Sequence, residues 1–207
     1  MSALRFSSLI ILFPILFAAC GRSELIRIRM LAPVTEDKKD YAIFTDTEST
    51  ITPVIINKQK GGSLYFLFKS IGLGYTTITT KMEKKTGTDH TEKTTLVTNF
   101  TDVAFGIGEN YSFMWGAGVL SGGKMETSLN SFNPKNNYLG GHSIFFVLGH
   151  HGFGFETLLG YRTNFIKAEF EEINSTNIGK TGKNFTYESN KINLTTSQVQ
   201  LGIGFTF

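Results

Sequence analysis

Cysteine, tryptophan and proline are all rare in this sequence, and their scarcity narrows what the chain can be. Its 207 residues include one Cys, one Trp and four Pro. A single thiol excludes an intramolecular disulfide. The formal net charge is only +3, which argues against nucleic acid as a partner, since such binding needs a clustered basic face.

Long apolar segments are confined to the N-terminus. No stretch after Phe17 contains the roughly 20 apolar residues that a transmembrane helix needs. Inside lipid every backbone polar group must be hydrogen-bonded within the protein, so this chain could otherwise span a membrane only as a closed β-barrel.

The first 19 residues have the organisation of an export signal. Arg5 supplies the positive charge, residues 9–17 form an apolar core, and two small residues, Ala18 and Ala19, follow. This order predicts a signal peptide over residues 1–19 that is removed on export. We therefore expect the mature protein to lie in a bacterial cell envelope.

The lone cysteine, Cys20, comes directly after this leader. The segment Phe17-Ala18-Ala19-Cys20 resembles the bacterial lipobox, Leu-small-small-Cys, with Phe17 where Leu is usual. The resemblance implies that the Cys20 thiol carries a diacylglycerol, and two or three acyl chains anchor a protein stably. The alternative is an ordinary signal peptide followed by an incidental cysteine.

Glycine and phenylalanine are abundant, with 22 and 19 copies, and the C-terminus shows how they are used. Within the last eleven residues, SQVQLGIGFTF, positions 198–207 alternate without exception between small or polar and apolar residues. The apolar positions are Val199, Leu201, Ile203, Phe205 and Phe207. Period-two alternation predicts a β-strand with one apolar face and one small or polar face.

The same alternation predicts further strands upstream. Residues 111–119 and 153–165 alternate clearly, and residues 71–79, 97–107 and 141–149 do so less regularly. We expect two more strands between residues 21 and 60, with residues 25–31 and a segment within 41–56 as candidates. Residues 63–68 are apolar in both registers, which we interpret as a helical turn leading into the barrel.

The predicted connections alternate in length. Residues 81–94, 121–139 and 167–190 form long polar loops, whereas residues 108–110 and 149–152 form tight turns. Outer-membrane barrels have short periplasmic turns and longer extracellular loops. The sequence therefore predicts an all-β fold, an antiparallel up-and-down barrel of eight strands, with its long loops outside the cell. We expect residues 20–62 to hold the lipidated N-terminus and first strands, and residues 63–207 to form the barrel domain.

At this point the chain resembles the small outer-membrane β-barrels of the OmpX- and OmpW-like class. The resemblance rests on the C-terminal alternation ending in Phe207 and on the strands with paired glycines, and it covers roughly residues 71–207 as a pattern. In that class the barrel assembly machinery reads a final aromatic residue on an alternating strand. The resemblance implies this role for Phe207, with Phe205 and Ile203 on the same face.

Three charged residues are the candidate interior site. Glu156 and Arg162 occupy the polar face of an otherwise apolar strand, and Asp102 occupies the same face of another. Because buried charges need partners, we predict that Glu156 pairs with Arg162 in an ion-pair network that plugs the lumen. A small polar pore is the alternative. Paired glycines such as Gly116 and Gly118 would leave room for bulky interior side chains.

Catalysis and metal binding find little support in the sequence. His142 and Ser143 suggest a lipid hydrolase, but adjacent strand residues point to opposite faces. His150 and His151 offer two metal ligands without further Cys or His at a matching spacing. We therefore expect no enzymatic activity, no cofactor and no metal.

The leading hypothesis is a structural or surface-interaction lipoprotein barrel in the outer membrane. Its partners would be outer-membrane lipid, the barrel assembly machinery and an extracellular ligand that meets the loops. A soluble lipocalin-like lipoprotein that binds a hydrophobic ligand is the second hypothesis, and an envelope lipid hydrolase is the third.

Overall fold

A computed structural model describes residues 26–34, 44–46, 54–86, 90–129, 133–152, 154–171, 185–187 and 190–207. The predicted signal peptide and Cys20 lie outside the described residues. Within the described ranges, there is no helix of the length and apolarity that a membrane crossing requires.

Eight long strands close into an antiparallel barrel, which confirms the predicted fold class. They are β1 (Ile26–Pro33), β3 (Val54–Phe68), β4 (Ile71–Thr86), β5 (His90–Gly108), β6 (Tyr111–Leu129), β7 (Asn136–Gly152), β8 (Phe155–Phe170) and β10 (Lys191–Thr206). Their order around the barrel is β1-β10-β8-β7-β6-β5-β4-β3. Two short strands, β2 (Phe44–Asp46) and β9 (Phe185–Tyr187), pair with each other outside the barrel sheet.

The period-two alternation of the sequence is the alternation between lumen and exterior. On β10, Gln198 and Gln200 are buried, whereas Leu201, Ile203 and Phe205 are exposed on the outer face. The strand predicted within residues 153–165 is β8, and its even positions face inward as expected. A strand places successive side chains on opposite faces, so each of these strands presents a different chemistry to each side of the barrel wall.

The short connections, the start of β1 and the end of β10 lie together at one end of the barrel, which we call the turn end. Two residues join β3 to β4 and two join β5 to β6. Gly108 has a φ of 93°, a conformation in which glycine carries no steric penalty, at the second of these turns. Backbone hydrogen bonds between Ile26 and Phe207, at 3.2 and 2.9 Å, join the first barrel strand to the last at the same end.

Two of the three long polar connections are much shorter than predicted. Strands β4 and β5 pair continuously from Ile71 and Phe105 out to Thr86 and His90, so most of residues 81–94 is a ladder rather than a loop. The predicted loop 121–139 likewise loses residues to β6 and β7, and loop 167–190 loses only its first four residues, to β8. Polar residues continue these strands because the outer face of the strands is solvated at that end of the barrel, so polarity there does not end a strand.

Two local predictions near short connections are wrong. Residues 63–68, interpreted as a helical turn, lie in β3, where Ser63, Tyr65 and Leu67 are buried and the residues between them are exposed. The segment 149–152, predicted as a tight turn, belongs to β7, which continues to Gly152. In both cases glycine or apolar residues on both faces hid an ordinary alternating strand.

The second barrel strand, Val54–Phe68, begins within the candidate segment 41–56 and extends well beyond it. Apart from residues 44–46 and 54–56, that candidate segment lies outside the described residues.

The outward side chains of the barrel change from apolar to polar along the barrel axis. Near the turn end, the outward side chains of every barrel strand are mostly apolar, as with Leu73 on β4, which is 65% exposed, and Ile144 on β7, which is 54% exposed. Farther along the same strands they become polar or charged. On β4 the outward series runs Ile71, Leu73 and Tyr75, followed by Thr77, Thr79 and Lys81. An apolar belt therefore surrounds the half of the barrel that contains the short turns.

Candidate functional site

The lumen is the candidate site because it holds buried charge. Reading β8 from the turn end, its inward residues are Glu156, Leu158, Gly160, Arg162, Asn164 and Ile166. Polar and apolar side chains thus alternate in layers along the barrel axis. Two of these layers contain an arginine paired with a carboxylate.

The first charged layer joins β8 to β5 across the lumen. Arg162 Nη1 donates a hydrogen bond to Asp102 Oδ2 and Arg162 Nη2 donates one to Asp102 Oδ1, both at 2.8 Å. Both side chains are fully buried. A two-point contact between a guanidinium and a carboxylate is shorter and stronger than a hydrogen bond between neutral groups. It also fixes the relative position of the two strands.

Neutral side chains satisfy the rest of this layer. Thr76 donates a hydrogen bond of 2.7 Å to Asp102 Oδ2 and accepts one of 3.1 Å from Arg162 Nη1. Arg162 also donates to Tyr65 Oη at 3.2 Å, to Asn164 Oδ1 at 2.9 Å and to Ser143 Oγ. We call Arg162, Asp102 and these neutral partners the Arg162 network.

Two aromatic rings flank the Arg162 guanidinium. Its central carbon lies 4.7 Å from the centre of the Phe100 ring and 5.4 Å from that of Phe145. A cation near the face of an aromatic ring gains electrostatic stabilisation, which increases when water is excluded. These contacts lower the cost of keeping the charge away from water and leave little open space around it.

The second charged layer lies closer to the turn end. Arg29 on β1 donates from Nε to Glu156 Oε2 and from Nη2 to Glu156 Oε1, both at 2.8 Å. Ser112 Oγ accepts a hydrogen bond of 2.8 Å from Arg29 Nη2 and donates one of 3.1 Å to Glu156 Oε1. Still closer to the turns, Arg27 Nη2 donates to the Gly108 carbonyl at 2.8 Å. We call Arg29, Glu156 and Ser112 the Arg29 network.

Glycines provide the space for these side chains. A Cβ at Gly118 would collide with the Asp102 carboxylate and lie 2.7 Å from Ser143 Oγ. A Cβ at Gly204 would lie 2.7 Å from Glu156 Oε2. A narrow eight-stranded barrel has room for side chains but little more, so absent side chains on one strand accommodate large ones from another.

Apolar layers close the lumen between and beyond the charged ones. One cluster lies between the two networks and the other lies beyond the Arg162 network, on the side away from the turns. The first consists of Leu31, Tyr65, Leu67, Ala104, Met114, Phe145, Val147 and Leu158. The second consists of Met82, Leu96, Phe100, Met125, Leu129, Ile166, Ala168, Phe170 and Leu194. Close-packed layers of this kind fill the passage that an open pore would need.

The structure places Asp102, Glu156 and Arg162 in the lumen but pairs them differently from the prediction. The predicted contact between Glu156 and Arg162 is wrong, because Glu156 binds Arg29 and Arg162 binds Asp102. Glu156 and Arg162 are about 20 Å apart along one extended strand, at roughly 3.3 Å per residue. Shared parity places two side chains on one face, yet says nothing about how close they are along the strand.

The other sequence-identified residues are dispersed. His142 is exposed on the outer face and stacks on Phe165 at 5.0 Å, whereas Ser143 is buried in the Arg162 network. Among the described residues, no group of three or more His, Cys, Asp or Glu could hold a metal ion. Ile203, Phe205 and Phe207 are all exposed at the turn end, on the outer face of the barrel.

Sequence reasoning missed Arg29 and most of the neutral partners. The signal for Arg29 was present, because Arg27 and Arg29 alternate with apolar residues in the segment considered as a first strand. An arginine between Ile28 and Met30 on a half-apolar strand predicts an inward charge, and an inward charge predicts a carboxylate partner. Ser, Thr and Tyr partners carry no such signal, since they are common on both faces of strands.

Comparisons with known proteins add little to this geometry. The chain matches no protein-family model, and no curated protein matches it either. Among solved structures it is similar to the outer membrane protein OprG from Pseudomonas aeruginosa, with a TM-score of 0.47 and 13% sequence identity. The match covers 90% of this chain and 97% of OprG.

Proposed function

We propose that this protein spans the bacterial outer membrane as a closed, non-conducting β-barrel that displays its long strand ends outside the cell. The observation that carries the proposal is the apolar belt combined with a charged lumen. A soluble lipocalin-like barrel has the opposite arrangement, with a polar exterior and an apolar interior that holds a ligand. Large exposed apolar surfaces on a soluble protein are rare and costly.

The height of the belt supports this proposal. On β10 the outward residues from Val199 to Phe207 are all apolar. A strand segment of this length, at about 3.3 Å per residue and tilted by about 40°, covers roughly 20 Å along the barrel axis. The lipid-facing band of outer-membrane barrels is roughly 25 Å tall. The belt therefore has about the height that a membrane barrel requires.

Aromatic side chains at the edge of the belt support the same proposal. Tyr111 is 77% exposed and Phe207 is 71% exposed at the turn end, and Phe68 and Phe155 lie exposed beside them. Outer-membrane barrels carry girdles of aromatic residues where the apolar band meets the headgroups. In these proteins short turns face the periplasm, so we assign the turn end to that side.

The lipid anchor at Cys20 forms part of this proposal. β1 begins at Ile26, at the turn end, and the extended chain between Cys20 and Ile26 reaches at most about 20 Å. An acylated Cys20 could therefore insert into the periplasmic leaflet beside the barrel. The lipobox resemblance and the reach of this segment both support the proposed anchor.

The proposed role is structural and interactive rather than catalytic. Ser143 accepts a hydrogen bond from Arg162 inside packed layers, and its neighbour His142 lies outside the barrel. A hydrolase would need a base and a nucleophile in contact with an accessible substrate. The polar outer halves of the strands, with the connections beyond them, are the surface that we propose meets an extracellular partner.

Spin labelling tests the membrane position directly. In a Cys20→Ala background, a label at Ile203→Cys should collide readily with oxygen dissolved in lipid and poorly with a water-soluble paramagnetic reagent. The matched control is Lys191→Cys, on the same strand and the same face but far from the turns, which should show the reverse. If both labels prefer the aqueous reagent, and the protein stays soluble without detergent, the membrane proposal is wrong.

Conductance across a planar bilayer tests the plug. We expect the wild-type barrel to pass no steady ionic current, because packed layers fill the lumen. A steady single-channel current from the wild-type protein would contradict the closed-barrel proposal and favour the small polar pore.

A further inference from the structure

Three lysines cluster on the outer face of two neighbouring strands. Lys58 on β3 lies directly opposite Lys81 on β4, and Lys60 lies opposite Thr79, one step nearer the turn end. All three lysine side chains are exposed on the exterior. We call Lys58, Lys60 and Lys81 the lysine cluster.

The arrangement is unfavourable for the barrel alone. Like charges directly opposite each other on one face of an antiparallel pair are destabilising. Among the described residues, no carboxylate forms an ion pair with any of the three ammonium groups. Other exterior lysines do have such a partner: Lys85 lies 3.4 Å from Glu83, Lys124 lies 2.8 Å from Glu126 and Lys191 lies 3.9 Å from Glu169.

The lysine cluster also lies at a particular height. The last apolar cross-strand pair of the belt on β3 and β4 is Leu64 with Tyr75. Counting residues away from Leu64 places the Cα atoms of Lys60 and Lys58 about 10 and 15 Å farther along the barrel axis. The polar layer of a bilayer extends roughly 5–8 Å beyond its hydrocarbon core on each side. Flexible lysine stems can reach back towards that layer while lying along the strand surface.

From the unpaired charge and this height we propose that the lysine cluster binds the phosphate groups of anionic lipid headgroups in the outer leaflet. This inference rests on the proposed membrane position of the barrel. Three ammonium groups within one cross-strand patch can contact one or two phosphates at once, which offsets the repulsion between Lys58 and Lys81. Phosphate is the ligand class that the chemistry selects, because lysine binds it as a compact point charge.

A single tryptophan next to the lysine cluster can report which lipid lies beside it. Trp115→Phe removes the native tryptophan, and Tyr75→Trp places a new one in the last apolar row beneath the cluster. The protein is reconstituted in vesicles of phosphatidylcholine and phosphatidylglycerol, with bromine on the acyl chains of one lipid at a time. Bromine quenches tryptophan on contact, so the ratio of the two quenching efficiencies measures the local preference for the anionic lipid.

We expect a several-fold preference for phosphatidylglycerol at low salt that falls as salt is added. Each lysine near an anionic surface contributes about fivefold at most. The triple variant Lys58→Gln, Lys60→Gln and Lys81→Gln should reduce the ratio to about one. The matched control is Lys85→Gln, Lys124→Gln and Lys191→Gln, which removes the same charge from lysines that already have carboxylate partners, and should retain the preference.

The outcomes separate the two proposals. If neither brominated lipid quenches the introduced tryptophan, the belt does not lie in the bilayer and the membrane proposal fails. If both lipids quench it equally in the parent protein, or if both triple variants lose the preference equally, the barrel lies in lipid but the lysine cluster is not a headgroup site. Each variant must also give a circular dichroism spectrum like that of the wild type, so that a loss of lipid preference is not caused by a folding defect.

Discussion

Arg162 on β8 and Asp102 on β5 share two hydrogen bonds of 2.8 Å across the lumen, and neither side chain contacts solvent. The pair connects strands that are not neighbours in the sheet. Within this layer, each residue is therefore the counter-ion of the other. This dependence leads to the first prediction.

Removing one member of the pair should cost more than replacing both. Asp102→Ala leaves the Arg162 guanidinium buried without a counter-charge, and such a loss typically costs about 3–5 kcal/mol. Asp102→Leu combined with Arg162→Met replaces both charges by apolar groups and should be less destabilising than Asp102→Ala alone. Urea unfolding of the refolded protein in micelles measures both. A double variant as unstable as the single one would indicate that the surrounding neutral hydrogen bonds, not the charges, dominate this layer.

The two networks should be energetically independent. A double-mutant cycle of Glu156→Ala with Arg29→Ala should show a coupling energy within the roughly 0.5–3 kcal/mol found for residues in direct contact. The cycle of Glu156→Ala with Arg162→Ala should be additive within about 0.5 kcal/mol, because separate networks hold the two residues. Unfolding free energies of the single and double variants decide this. Strong coupling between Glu156 and Arg162 would contradict the pairing that the structure shows.

A charge on the apolar belt should impair the barrel far more than a charge above it. Ile203 is exposed on the belt, and a lysine on the lipid face near mid-depth costs roughly 2–4 kcal/mol. Ile203→Lys should therefore lower the yield of folded barrel. The yield is measured in gels as the fraction of protein whose mobility differs between unheated and heated samples. Ser197→Lys, on the same strand and the same face beyond the belt, is the matched control and should fold like the wild type. Similar yields for both variants would argue that the belt does not face lipid.

Acylation of Cys20 can be tested without reference to the barrel. Cells grown with labelled palmitate should incorporate the label into the wild-type protein, and Cys20→Ala should abolish it, because the thiol is the acceptor. The variant barrel should still fold, since β1 begins at Ile26. Absence of label from the wild-type protein would mean that the leader is an ordinary signal peptide and that Cys20 is incidental.

Which faces of the strands point outward or into the lumen could be predicted from the sequence. On β10 the alternation from Val199 to Phe207 assigns every residue to one side, and the structure follows that assignment. Strand ends were harder to predict. Residues 81–86 and 90–94 are mostly polar, and the sequence predicts a loop over them, although they pair in register as part of β4 and β5. Polarity beyond the belt reflects solvent on the outer face and does not by itself end a strand.

Local sequence determined the period-two pattern, the small residues that make room and the charges that face inward. Only the tertiary structure decided which charges meet. Closing a sheet into a barrel staggers its strands, and that stagger sets the height at which each inward residue lies. Glu156 and Arg162 share a strand and a face but occupy layers about 20 Å apart along it. Asp102 and Arg29 are distant from their partners in sequence, and the stagger brings each to the height of its partner.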